Sequence, residues 1–277
     1  MFVTAGGRHA STADLFDALA ASYDQTGVAF FGPVAGGLLD LAAARSGERV
    51  LDIGCGRGAA TLPLSQAVGR SGRVTAVDLS PKMVAATRAL VARKRLGNVE
   101  VIVGDAQRLR VGRGFDLVVA SLVLPLMDST GAALGHWLEL LRPGGRLALS
   151  TVDAVDATTE QLDRAFDRWV RTAGPPPRSS ALQPYDGVRL RTQLRQGGAV
   201  DVTSVTDSVV LEFSDVEDWQ RFSMSTAQRL LWRRVPLGEQ PAFLGRVAQV
   251  LEEARGEDGL IRLRWDVRHS LARLPAG

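Results

Sequence analysis

The residues best placed to do chemistry lie in Val50-Leu-Asp-Ile-Gly-Cys-Gly-Arg-Gly-Ala59. Gly54, Gly56 and Gly58 follow an apolar, β-branched run at two-residue spacing, so the backbone can turn sharply there and approach a ligand closely. Gly54-x-Gly56-x-x-Ala59 also fits a dinucleotide-binding turn loosely, and glycine spacing alone is weak evidence. Asp52, two residues before the first glycine, separates the two chemistries. A pyrophosphate here would stand beside a carboxylate, and two like charges 4 Å apart cost about 4 kcal/mol at an effective dielectric of 20. S-adenosylmethionine (SAM) carries an ammonium and a sulfonium and no phosphate, and suits that carboxylate better.

Two further acids fall where an adenosine needs them. Asp78 ends Arg73-Val-Thr-Ala-Val-Asp, where a carboxylate can accept hydrogen bonds from both ribose hydroxyls, although it would serve NAD equally. Asp105, in Val103-Gly-Asp-Ala106, can accept from an adenine amino group, with the Ala106 N–H facing the ring. Leu79 and Met83 offer apolar walls. Cys55, inside the turn, reads as a small tolerated residue rather than a nucleophile. As the single cysteine it excludes an intramolecular disulfide and a multi-cysteine metal site, and with three histidines no metal is expected.

Acceptor-side candidates are less sharply marked. Asp153 is a candidate base, with a plain loop acid as the competing reading. Phe30 and Phe31, with Trp219 and Phe222 further on, are candidates to line an acceptor pocket, against packing among themselves. His136 reads as a solvated surface residue, and His9 lies in a leader that could fold over the site. His269 shares the strand phase of Leu263, Trp265 and Val267. If that strand starts at the ligand edge near Ile261, eight residues carry His269 about 27 Å away, too far for a base.

The elements that must position these residues alternate. Strands are expected at Arg49–Ile53, Arg73–Asp78, Val99–Val103, Phe115–Ala120 and Arg146–Thr151, several of them apolar in succession, as strands covered on both faces are. Ser80-Pro81 opens a helix with Met83, Ala86 and Leu90 on one face, closed at Gly97. Leu134, Trp137, Leu138 and Leu141 form a second stripe, stopped by Pro143-Gly-Gly. Such alternation predicts a doubly wound, mostly parallel α/β sheet with its ligand at the strands' carboxyl ends. Beyond Asp153, helix is expected over Ala157–Thr172, a loop at Gly174–Ser180 and a basic helix over Asp186–Gln196, whose Arg189, Arg191 and Arg195 read as a solvated face. Strands follow at Val200–Phe213 and Ile261–His269, with an aromatic-rich helical stretch between them. The division is therefore 1–45, a helical segment over the cofactor site; 46–153, the cofactor-binding core; 154–199, a helical extension; and 200–277, the last two strands with a helical lid at about 215–256.

Together these motifs resemble the class I SAM-dependent methyltransferases. Asp52-x-Gly54-x-Gly56-x-Gly58, Asp78 and Gly104-Asp105-Ala106 match their first three motifs, and Phe115–Ser121 and Leu141-Arg-Pro-Gly-Gly-Arg146 match those of the fourth and fifth strands. The likeness covers roughly Tyr23 to Asp153 and is nearest to the small-molecule branch that includes ubiquinone and menaquinone C-methyltransferases and bacterial natural-product enzymes. It implies a seven-stranded Rossmann-like sheet with an antiparallel last strand lying between the fifth and sixth, filled here by Ile261–His269. It also implies that Ser121 contacts the cofactor's ammonium through its backbone and that Tyr23 closes over the methionine end.

The activity expected is methyl transfer from SAM to an O, N or C atom of a mostly apolar small molecule. Alternatives are a SAM-bound protein of this fold catalysing cyclisation and, further off, an RNA or protein methyltransferase. The 277 residues carry 33 basic and 30 acidic side chains, and a net charge of +3 makes no nucleic-acid footprint. Ser121-Leu-Val-Leu-Pro125 is apolar and lacks an Asn-Pro-Pro-aromatic motif that would orient a planar amino group. The apolar run Leu117–Met127 is too short to span a bilayer, which takes about 20 residues. With no export signal legible in the first residues, a soluble, cytoplasmic monomer or homodimer, binding neither nucleic acid nor membrane, is the expectation.

Overall fold

Apolar residues in unbroken succession, such as Leu117-Val-Val-Ala120, build strands buried on both faces, and these form the centre of the molecule. The structure, a computed structural model, describes residues 2–3, 9–10, 12–172 and 184–277. The expected loop at Gly174–Ser180 and the side chain of His9 lie outside the described residues. In chain order the elements are β1 (Phe2–Val3), β2 (His9–Ala10), α1 (Thr12–Leu19), α2 (Phe31–Ala42), β3 (Arg49–Ile53), α3 (Thr61–Val68) and β4 (Arg73–Asp78). Next come α4 (Pro81–Arg93), β5 (Val99–Val103), β6 (Phe115–Ser121), α5 (Thr130–Glu139), β7 (Leu141–Val155), α6 (Ala157–Ala165) and α7 (Asp167–Thr172). The chain closes with α8 (Gly187–Gln196), β8 (Asp201–Phe213), α9 (Val216–Ser225), α10 (Arg229–Trp232), α11 (Gln240–Glu252) and β9 (Ile261–Arg273).

Seven strands form one sheet in the order β5-β4-β3-β6-β7-β9-β8. All neighbours run parallel except β9, which is antiparallel to both β7 and β8 and lies between them. This is the doubly wound, Rossmann-like sheet with a reversed last strand that the sequence predicts. The order reverses at β3, so a crevice opens beyond the carboxyl ends of β3 and β6. Helices cover both faces. Leu38 and Leu64, from α2 and α3, pack on Val50, Val74 and Leu117, while Trp137, Leu190 and Leu194, from α5 and α8, pack on Val118 and Leu147.

Two helix ends differ from expectation. The helix begun at Ser80 ends at Arg93, before Gly97, and α5 ends at Glu139, so Leu141 already belongs to β7. α4 is stopped by Arg95, whose φ of 55° is left-handed, before Gly97 is reached, whereas at α5 the apolar stripe runs on into β7 because the strand needs the same residue.

β7, β8 and β9 are much longer than β3. β7 has 15 residues and β3 has 5, and Ser121, the last residue of β6, pairs with Ser150. Thr151 to Val155 therefore project past the edge where the central strands stop. Beyond that edge Phe30, α6 and α9–α11 bury Leu211, Phe213, Leu263, Trp265 and Val267 in a core of their own.

One buried ion pair fixes α2 to this frame. α2 ends with Ala43 in a left-handed conformation (φ 46°). The Arg146 guanidinium, nearly buried, donates to the Ala42 and Ala43 carbonyls at 2.8 Å each, and to both Glu48 carboxylate oxygens at 2.8 and 2.9 Å. Burial pushes the Glu48 carboxyl up, but the hydrogen bonds from Arg146 and the Arg45 N–H, with the Arg146 charge, together outweigh it, so the group titrates below its ordinary value. Arg146→Ala would leave a buried carboxylate and two helix-end carbonyls unpaired, and should cost about 3–5 kcal/mol in urea unfolding. A loss under 1 kcal/mol would show that water replaces the guanidinium.

Candidate functional site

The turn after β3 is held from within. Gly54, Gly56 and Gly58 all have positive φ (68°, 51° and 91°), and a Cβ on Gly54 would lie 2.3 Å from Val123. The N–H groups of Gly54 and Cys55 both donate to the Val77 carbonyl, at 2.8 and 2.9 Å, and that of Gly58 to the Cys55 carbonyl. The Gly56 N–H donates to Asp78 Oδ2 at 2.8 Å, while the Ser80 N–H donates to Asp78 Oδ1 at 2.9 Å. A dinucleotide turn offers free backbone N–H groups to a pyrophosphate; here these donors are already used. Each Asp78 oxygen, with one hydrogen bond accepted, keeps a lone pair for a ligand hydroxyl.

Asp52 stands elsewhere than expected. It is buried behind the turn, accepts a 2.6 Å hydrogen bond from Thr61 Oγ1, and does not line the cavity. Burial pushes its carboxyl up to about 7, against the Thr61 hydrogen bond and with help from Asp78. The exclusion of phosphate thus rests on committed N–H groups and on the charge of the lining, not on direct contact with Asp52.

The cavity encloses about 740 Å³ of space, mouth included. It runs from Gly54, Gly56 and Asp78, past Leu79 and Met83, to Asp105 and Ala106, and is closed on its other side by Ser121, Leu122, Leu126 and Met127. Thr12, Phe16 and Tyr23 cover it from the α1 segment. Among the described residues Asp78 and Asp105 are the only charged ones of the lining, so it suits a cationic nucleoside and repels phosphates. Burial, and then Asp78 and Asp24, push the Tyr23 phenol well above its ordinary range, so it stays protonated as a hydrogen-bond donor. The Asp105 loop is firmly held: Trp137 Nε1 donates to the Ala106 carbonyl at 2.8 Å, and Asp105 Oδ1 accepts from the Gln107 N–H. His136, half-buried rather than solvated, contacts the Leu109 carbonyl at 3.2 Å.

Of the expected cofactor residues, Tyr23, Gly54, Gly56, Asp78, Leu79, Met83, Asp105, Ala106 and Ser121 surround this one cavity. Asp52 and Cys55 do not; Cys55 packs away from it against Ala76, Val84 and Val101, and burial pushes its thiol up.

The acceptor-side expectations need correction. Asp153 sits at a β-bulge, ion-paired with Arg268 and accepting from Thr206 Oγ1 at 3.0 Å, so both oxygens are taken and it is outside the cavity. Phe30, Trp219 and Phe222 are core residues, closely packed with Trp265, Trp232 and Phe213 respectively. Phe31 stacks on Tyr23 with ring centroids 4.4 Å apart. His269 is level with Ser121, because Ser121 pairs with Ser150 and Ser150 with His269. Two strand spacings put it about 10 Å across the sheet rather than 27 Å along it. A separation of about 27 Å along the strand would require all strands to end together, and β9 instead runs well past the end of β6.

Residues missed by sequence reasoning include Thr12, Phe16, Leu122, Val123 and Met127. The signal available for the last three was the apolar run continuing past the end of β6. Leu122 has φ 58°, an uncommon conformation for leucine, held by its N–H donating to the Ser150 carbonyl at 3.2 Å.

Comparison with known proteins agrees with this geometry. Residues 50–145 match the model of a methyltransferase domain family. Over 95% of the chain and 99% of the relative, the sequence is 33% identical to a nocamycin O-methyltransferase of Saccharothrix syringae. The chain belongs to the class I SAM-dependent methyltransferases, in the branch that acts on small molecules. Among solved structures, the YcgJ protein of Bacillus subtilis matches with a TM-score of 0.61 at 16% identity, covering 88% of this chain and 99% of that one. The cyclase SpnF matches at 0.54 and 20% identity, over 89% and 81%. At these identities both likenesses show the fold alone. Among the described residues no helix is long and apolar enough to cross a membrane, and no cluster of potential metal ligands occurs.

The raised Asp52 carboxyl has a thermodynamic consequence. Between about pH 4 and pH 7 the folded chain keeps a proton that the unfolded chain releases, so stability contributed by this group falls as pH rises. The slope is at most about 1.4 kcal/mol per pH unit. Denaturant unfolding of the cofactor-free protein at pH 5, 6 and 7 should show this decline, and Asp52→Asn should flatten it. Asp78, Asp24 and Asp163, the last a mostly buried carboxyl bonded to Gln228 and pushed up to about 6 by burial, add to the decline, while the buried His269 ring, held below its ordinary value, opposes it.

Proposed function

We propose that the chain transfers the methyl group of SAM to an oxygen of an apolar small molecule, in natural-product biosynthesis. The observation that carries this is the lining: two carboxylates placed for a nucleoside, committed turn donors, and an apolar mouth with no lysine or arginine among the described residues. A phosphorylated or strongly anionic acceptor finds no partner there. The oxygen acceptor is taken from the nocamycin O-methyltransferase, whose alignment runs through the regions that flank the cofactor core as well.

In this reading residues 1–45 cover the cofactor, 46–153 hold it, 154–199 extend the core, and the last two strands carry a lid at about 215–256. Asp78 accepts from the ribose hydroxyls and Asp105 from the adenine amino group, with Leu79, Met83 and Ala106 against the rings. The backbone at Gly54, Gly56 and Ser121 meets the methionine portion, and Tyr23 closes over it. Bound SAM supplies a methyl group already activated by its sulfonium, so the protein's task is alignment and exclusion of water. Alignment of this kind can be worth about 7–11 kcal/mol. Tyr23, backed by the stacked Phe31, gives the acceptor a dry wall with Phe16 and Leu122.

Calorimetry should show SAM binding, with affinity reduced about 10- to 150-fold in Asp78→Ala, the loss expected for hydrogen bonds to a charged group. Labelled methyl from SAM should appear as an ether or ester in an apolar hydroxylated or acidic acceptor. Label found only on nitrogen or carbon would sink the oxygen assignment, and product formation without label transfer would point to cyclisation instead.

A further inference from the structure

Under α2 the sheet presents Ala148, Val152, Val267 and Leu271 around a single polar row. Ser150 and His269 are both fully buried, and Ser150 Oγ lies 2.9 Å from His269 Nδ1. His269 Nε2 lies 3.5 Å from Asp207 Oδ2, on a side chain about half exposed to solvent. Above them Gly37 leaves the space they occupy, since a Cβ there would stand 2.7 Å from His269 Nε2 and 2.6 Å from Asp207 Oδ2. Glycine within a helix costs about 1 kcal/mol relative to alanine, so α2 gives up stability where the pair needs room. At its other end the row meets Ser121, which lies opposite Ser150 in register and lines the cavity. β6 and β7 are parallel neighbours, and strands in a sheet lie about 4.7–4.9 Å apart, so the two hydroxyls are within reach of a hydrogen bond after a rotamer change.

The chemistry of the row runs in one direction. A carboxylate beside Nε2 favours the tautomer with its hydrogen there, leaving Nδ1 bare to accept the Ser150 hydroxyl. Ser150 is too deeply covered to be a nucleophile itself. Asp207 is the charged group that faces the ring from β8; the charged residue that β7 presents on this face, Arg146, lies four positions before Ser150 and is paired with Glu48, and Arg268, the next residue on β9, is paired with Asp153. The one charged residue of α2, Asp40, is exposed, three positions beyond Gly37. Burial holds the imidazole below its ordinary range against the pull of Asp207, so the ring is neutral and ready to take a proton at pH 7.

We propose that His269 is the proton acceptor for methyl transfer, acting through Ser150 and Ser121, with Asp207 steadying the imidazolium that forms. This rests on the oxygen-acceptor reading above. As the oxygen–carbon bond forms and the methyl–sulfur bond breaks, the acceptor's hydroxyl proton passes to Ser121 Oγ. The Ser121 hydrogen moves to Ser150 Oγ, and that of Ser150 to His269 Nδ1. Each serine ends with one hydrogen, nothing is oxidised or reduced, and the imidazolium returns its proton along the same hydroxyls to water once product leaves.

The test uses the full chain, SAM and two phenols of similar size, one ionised at pH 7.5 and one protonated. Only the protonated phenol needs a proton acceptor, so the ratio of its turnover to that of the ionised phenol should fall about 100-fold in His269→Gln, the low end of what a positioned base contributes. Asp207→Asn, a change at an exposed group, should lower the same ratio by less. Equal losses on both phenols, or an unchanged ratio, would overturn the proposal. Should the unmodified protein methylate neither phenol, the acceptor reading fails, and nitrogen NMR of the His269 ring then decides the relay. A bare Nδ1 at pH 7.5 supports it, and a hydrogen on Nδ1 overturns it.

Discussion

The site depends on how the backbone donors of a glycine turn are spent. Gly54 and Cys55 give theirs to the Val77 carbonyl and Gly56 gives its own to Asp78, so β3 and β4 are tied together at the point where the ligand must sit. A turn with the same glycines and free N–H groups would attract phosphate. With those groups occupied, the remaining polarity of the crevice is that of two carboxylates, and a nucleoside bearing positive charge is the complementary partner. Asp78 is thus a structural fastening and a binding group at once, and burial raises its carboxyl even though backbone hydrogen bonds pull it down.

The cofactor half was largely legible in the sequence because its signals are local. Strands covered on both faces show as apolar runs, Ser80 caps its helix by accepting from the Met83 N–H, and the three acids fall one per strand end. Asp52 shows the limit of that reading. Its conclusion was right and its reason was not, because the direction of a side chain beside a turn depends on α3, which supplies Thr61 from nine residues further on.

The acceptor half was poorly legible because its signals are not local. Phe30, Trp219 and Phe222 looked like pocket walls when counted as aromatics, yet the projecting ends of β7, β8 and β9 present apolar residues that need covering, and the aromatics do that. Asp153 looked like a base at a strand end, but a bulge turns it toward Arg268. The distance to His269 depended on relative strand lengths, and no periodicity in β9 reports where β6 stops.

That difference in strand length has a consequence for how the molecule can vary. The cofactor is gripped where the short strands end, whereas the outer three continue as a cantilever with an independent apolar filling. Loops and helices mounted on a cantilever can be exchanged or reshaped without loosening the grip at its root. Chimaeras joined just beyond Ser150 should therefore inherit a new acceptor preference while keeping the old nucleoside affinity.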